Sequence, residues 1–155
     1  MNDKIILPNE FLSVAEEELN QGRSVRILAD GASMFPFIHG AKDYAELAPL
    51  PSGEELKLWE VYLFKYKGRF VIHRYIGKVG DIYRFLGDGN LQIEEIGNRG
   101  DVIGRLQKIH KPGGRVVDCT SEKWLRKGKT WNRLLPIRRY LLGALRRFYR
   151  YGIIR

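Results

Sequence analysis

The sequence predicts a mainly β fold: an antiparallel folded sheet or barrel, with a short N-terminal helix and a basic amphipathic C-terminal helix. Three observations predict it. Short runs rich in Val, Ile, Tyr and Phe recur between residues 24 and 109, separated by Gly-, Pro- and Asn-containing clusters. Helical periodicity is confined to the two ends. The composition, 44% hydrophobic and 29% charged over 155 residues, suits one folded domain with appendages and argues against extensive disorder.

The elements follow in order. Over residues 9–21, Phe11, Ala15 and Leu19 recur at four-residue spacing, Glu16 to Glu18 lie mostly off that stripe, and Gly22 is a stop signal. Residues 24–29 alternate as a strand does and end at the turn dipeptide Asp30-Gly31. Beyond residues 31–40, strands are predicted over 44–47, 61–66, 70–76, 82–86 and 102–109, with Lys67-Gly68-Arg69 as a hairpin connection between the second and third of these. Lys111-Pro112-Gly113-Gly114 marks a boundary, which divides the chain into an N-terminal helical segment (1–23), a β domain (24–110) and a tail (111–155). After Pro136, suited to a helix's first turn, a helical wheel gathers Ile137, Tyr140, Leu141, Ala144, Leu145, Phe148 and Tyr151 on one side. Arg138, Arg139, Arg146 and Arg150 gather on the other.

Charge and cysteine content narrow the function classes. The net charge of +9 belongs to the tail: residues 111–155 hold 13 Lys and Arg against Asp118 and Glu122, while the preceding residues hold 14 basic and 16 acidic side chains. The lone Cys119 cannot form an internal disulfide, and His39 and His110, read as surface or turn residues, have no partners at metal-ligand spacing. No metal or other cofactor is expected. The N-terminus offers no long apolar segment and no stretch approaches a membrane span, so a cytoplasmic location is expected. The C-terminal helix is a candidate interfacial anchor for an anionic membrane at the inner face of the cytoplasmic membrane, with Trp124 and Trp131 as further aromatic anchors. The alternative is that its apolar side packs on the domain and its arginines are solvated.

Ser33 occupies an unusual backbone setting, in Gly31-Ala32-Ser33-Met34-Phe35-Pro36 after a strand end. A serine needs a base within hydrogen-bond reach and donors for a developing oxyanion before it can act as a nucleophile. On its own, the setting describes a turn serine that caps backbone groups.

The surrounding segments add to it. Residues 31–36 resemble the Ser-Met-x-Pro box of the signal peptidases and their relatives, the self-cleaving SOS repressors. Leu58-Trp59-Glu60-Val61-Tyr62-Leu63-Phe64 is similar to that family's Gly-Asp-Ile-Val strand, and Val71-Ile72-His73-Arg74-Tyr75 resembles its general-base box. Leu86-Gly87-Asp88-Gly89-Asn90 resembles its Gly-Asp-Asn-Asn box, and Asp101-Val102-Ile103-Gly104-Arg105 its final strand. Five boxes in the family's order are more specific than any one of them.

The resemblance implies a folded sheet of the signal-peptidase and SOS-repressor type and a serine endopeptidase acting on a peptide or protein precursor. Ser33 would be the nucleophile and His73, standing where bacterial signal peptidases carry lysine, the general base, as in the endoplasmic-reticulum and archaeal type. The orienting carboxylate is ranked Asp88, then Glu94, then Glu95. Gly31, Met34 and Pro36 would help to form the oxyanion site and to position substrate, although Gly31 replaces a serine whose hydroxyl some relatives use. Gly89 also departs from the box. The SOS repressors' DNA-binding module has no counterpart before Ser33, which argues against DNA as a target. The rival reading is a non-catalytic peptide- or membrane-binding module on a retired peptidase fold.

Overall fold

In the computed structural model the described residues are 4–6 and 11–153. They form β1 (Lys4–Ile6), α1 (Phe11–Asn20), β2 (Val25–Leu28), β3 (Tyr44–Pro49), β4 (Val61–Tyr66), β5 (Arg69–Val79), β6 (Ile82–Leu86), β7 (Ile93–Ile96), β8 (Val102–His110), β9 (Val116–Asp118), α2 (Glu122–Arg133) and α3 (Arg138–Arg150). The strands make one sheet in the order β1-β2-β3-β8-β4-β5-β6-β7, with β9 beside β8. Among the described strands only β1 and β2 run parallel; every other pair is antiparallel. The sheet curls into a half-barrel, so the mainly β expectation holds.

β4 lies near the middle of the order and is apolar on both faces. Val61 and Leu63 face a core made with Ala15 and Leu19 of α1, while Tyr62 and Phe64 face a second cluster with Tyr75 and Phe85. All four β4 side chains are fully buried, each worth about 1.5–3 kcal/mol of transfer free energy. That double burial is why the strand reads as a continuous apolar run rather than an alternating one. α1 rests close on the sheet because β8 offers Gly104, where a Cβ would stand 3.0 Å from Leu19 Cδ1. The β4–β5 hairpin turns through Lys67 and Gly68 at φ 48° and 72°, both positive as a type I′ turn requires.

The tail is more built than the sequence suggested. Ser121 caps α2, its hydroxyl accepting from Trp124 N–H, and Trp124, Gly128 and Trp131 make up its buried face. Trp124 enters the main core, and Trp131 packs with Phe35 and Leu142. The two tryptophans are therefore core residues, not membrane anchors. In α3 the wheel is also rotated from expectation. Arg138 and Leu142 are buried, with Leu141, Leu145 and Tyr149 packed beside them, whereas Ile137, Tyr140, Phe148 and Tyr151 are exposed.

Candidate active site

The segment after β2 is bent tightly back on itself. Gly31 takes φ +71°, and a Cβ on Gly40 would overlap the Gly31 carbonyl, so the two ends of the loop meet backbone to backbone. Met34 and Ile38 anchor the loop in the main core and Phe35 anchors it against the tail helices. Ser33 lies between these anchors and is partly exposed. Its carbonyl accepts a 2.8 Å hydrogen bond from Gly89 N–H, while its own N–H has no partner among the described residues.

His73 sits on β5 opposite Tyr62. It is buried, and its ring stands edge-on to Phe64 at 6.2 Å. Ser33, His73, Asn90 and Glu94 line one cavity of about 430 Å³, whose remaining wall is largely apolar, with Met34 and Ile38 among its residues. A Cβ placed on Gly87 would lie 2.5 Å from the Ser33 carbonyl oxygen and 2.9 Å from His73 Nε2, so the serine loop and the ring's Nε2 side converge on one point. No hydrogen bond joins the Ser33 hydroxyl to His73 in this state. On the other side of the ring, Nδ1 is 3.1 Å from Glu94 Oε2. The approach is close but off-line, and neither atom completes a hydrogen bond by angle. It is a close contact short of a hydrogen bond in direction, which a small rotation of either group would align.

The three candidate carboxylates separate cleanly. Asp88, ranked first from the sequence, does not line the cavity. It forms a buried two-pronged pair with Arg74, at 2.8 Å to Nε and 2.6 Å to Nη2. His73 and Arg74 are neighbours on a strand and point to opposite faces, so Asp88 is spent on the arginine's side. Glu95 pairs outward with Arg84 at 3.4 Å. Glu94 is the one of the three beside His73. Of the residues expected to position substrate, Gly31 and Met34 line the cavity and Pro36 does not; the Pro36 carbonyl instead receives His39 Nε2 at 3.1 Å. His39 is wedged between Phe35 and Tyr149. Burial, and then the nearby Lys111 charge, hold its pKa below the ordinary value. His110 pairs with Glu46 at 2.6 Å.

Two departures from the boxes acquire a physical reason. A Cβ at Gly89 would overlap the Ala32 carbonyl, so this loop rests directly on the serine loop and excludes any larger residue. Trp59 stands where the strand box has glycine, and it adopts the left-handed conformation at φ 73°. That backbone aims its carbonyl at Arg74 Nη1, 2.7 Å away, and costs about 1–2 kcal/mol for a side-chain-bearing residue.

The sequence reading missed what holds residues 87–90. Their four successive carbonyls are each met by a tail side chain. Arg138 Nη1 reaches the Gly87 and Asn90 oxygens at 3.5 and 3.3 Å, Trp131 Nε1 reaches Asp88 at 2.7 Å, and Arg146 reaches Gly89 at 3.3 Å. Burial lowers the Arg138 pKa, and the Asp88 charge counters that shift. No family model, curated protein or solved structure matches this chain.

Proposed function

We propose that the chain is a serine endopeptidase of the signal-peptidase type, with Ser33 as nucleophile, His73 as general base and Glu94 as the carboxylate that orients and balances the imidazole. The observation that carries the reading is the shared cavity: one wall holds a serine with an unbonded N–H, and another a buried histidine backed by a carboxylate. The five sequence boxes and their order support it independently.

The cavity also suits an extended peptide. It is bounded by the end of β2, with Leu28, Ala29 and Gly31, and by the stretch of β5 that includes Ile72 and His73. Among the described residues, β6 pairs with β5 only from Arg74 onward, and the pairing of β1 with β2 is described as far as Ile27. The β5 edge before Arg74 thus faces an apolar trough, and a substrate strand can pair along it.

The Ser33 hydroxyl attacks the scissile carbonyl while its proton passes to His73 Nε2. The Ser33 N–H donates to the oxyanion. The imidazolium, balanced by Glu94, returns the proton to the leaving amine, and water releases the acyl group by the same relay. The serine–histidine hydrogen bond forms as substrate closes the gap, since such bonds are commonly long in empty sites. Asp88 acts at a distance, fixing the loop on which Asn90 stands.

The test is labelling by a fluorophosphonate, a serine-directed reagent, with parent chain, Ser33→Ala, His73→Ala and Glu94→Gln compared. Labelling of the parent is expected, none of Ser33→Ala, and labelling slowed by about 10²–10⁴-fold in the two base variants. A folded parent chain that neither labels nor cleaves an extended peptide library would leave a non-catalytic peptide-binding module in place of the enzyme.

A further inference from the structure

We propose that the outer face of α3 docks on an anionic phospholipid bilayer. α3 has a second apolar side that the fold does not use. Its buried side carries Arg138, Leu142, Leu145 and Tyr149 against the body. At 100° per residue, Tyr140, Ala144 and Phe148 fall within one stripe about 80° wide that borders the packed Leu141 and is centred roughly 120° from that side, with Ile137 and Tyr151 continuing it just beyond the two ends of the helix. The stripe is open to solvent: Ile137 is 48% exposed, Tyr140 69%, Phe148 46% and Tyr151 66%. Ile153 follows at 67%, so five of the ten exposed large apolar side chains among the described residues crowd into residues 137–153. Singly exposed apolar residues need no explanation, whereas a contiguous patch marks an interaction surface.

Charge decides what the surface meets. α3 contains no acidic residue; Arg147 is exposed on the flank of the stripe, and Arg150 and Arg139 are exposed further round, about 120–140° from its centre, none of the three with a carboxylate partner among the described residues. α2 adds exposed Lys123, Arg126, Lys127, Lys129 and Arg133 against Glu122. A second copy of the chain would bring the same cations face to face. A nucleic acid would satisfy the arginines but leave Ile137 and Phe148 wet. An anionic bilayer answers both: the apolar stripe enters the headgroup boundary, the tyrosines sit at its polar edge and the arginines extend to lipid phosphates. No helix among the described residues is long and apolar enough to cross a membrane, so this is contact in the plane of the interface. The inference concerns the helix and does not rest on catalysis.

Vesicle co-sedimentation of the full chain tests it. The probes are phosphatidylcholine vesicles and equimolar phosphatidylglycerol–phosphatidylcholine vesicles at low and raised salt. The parent chain and Ser33→Ala are expected to sediment with the anionic vesicles, to be released by salt, and to ignore phosphatidylcholine alone. Tyr140→Ser with Phe148→Ser should weaken partitioning by about ten-fold. Arg147→Gln with Arg150→Gln should weaken it by about five-fold per arginine. Both pairs replace exposed side chains, and unchanged melting temperatures check that they fold. Equal binding to both vesicle types, full binding by the stripe variant, or retention of duplex DNA or RNA without vesicle binding would each overturn the proposal.

Discussion

Replacing Asp88 by Asn tests whether this carboxylate is architectural, in contrast to Glu94, the proposed catalytic one. Arg74 and Asp88 are both buried, and the guanidinium donates twice to the carboxylate at 2.6 and 2.8 Å. Asn can accept only one of those bonds, because its NH₂ would face an N–H. The substitution also leaves the Arg74 charge unbalanced, in contact with the Trp59 carbonyl and the faces of Phe37 and Trp124. Breaking a buried pair from one side costs about 3–5 kcal/mol. The upper part of that range is expected here, because Asp88 also offsets the charge of the buried Arg138. For a domain of this size the melting temperature should fall by about 6–20 °C, read by circular dichroism with urea unfolding alongside. Glu94→Gln is the counterpart: it should shift stability by less than about 1 kcal/mol while slowing reagent labelling. If Asp88→Asn kept its stability and instead lost reactivity as Glu94→Gln is expected to, the assignment of the two carboxylates would be reversed.

Two glycines on the tail helices should respond with opposite signs to Ala. Gly143 meets nothing within 4 Å of an added Cβ, so Gly143→Ala should stabilise by about 0.5–1 kcal/mol. A Cβ at Gly128 would overlap the pinned Arg74 guanidinium, so Gly128→Ala should destabilise by about 1–3 kcal/mol despite the better helix propensity; equal effects in thermal melts would contradict the packing described. Acid should weaken the fold through His39. Its folded pKa lies below the ordinary 6.5 because of burial and Lys111, so the unfolded chain binds more protons there. Stability is whole above about pH 6.5 and falls as pH drops through that value. Urea unfolding from pH 7.5 to 5 should show a shallower fall for His39→Gln than for the parent, and an identical fall would refute this.

Much of the fold was legible because period-2 strands and turn clusters are local signals. β4 and β6 match their predicted bounds, and α1 ends where Gly22 follows at φ +78°. β7 was not legible: Ile93-Glu94-Glu95-Ile96 lacks apolar alternation, since one glutamate turns to the cavity and the other to Arg84. That is also why Glu94 ranked below Asp88, whose neighbouring Gly-Asp pattern was recognisable without showing what the carboxylate touched. α2 is hard to see in the sequence although Ser121 and Glu122 open it, because its polar face dominates its composition and only Trp124, Gly128 and Trp131 mark the buried side. The buried flank of α3 is hidden in the sequence for a related reason. Periodicity reveals that a helix has apolar residues together, but not which flank a tertiary contact selects, and a buried arginine serving three carbonyls is invisible to a hydrophobic pattern.

The clamp on residues 87–90 gives the molecule an order of assembly. Ser33 and His73 precede the tail in the chain, whereas the side chains that grip the four carbonyls arrive only with Trp131, Arg138 and Arg146. A nascent chain halted before them has both proposed catalytic residues but a loop with its carbonyls unclaimed. Once the helices dock, the loop opens no more readily than they detach, and its amide hydrogens should exchange with theirs as one unit. The tail thus acts as a latch on the loop that brings Asn90 to the cavity wall.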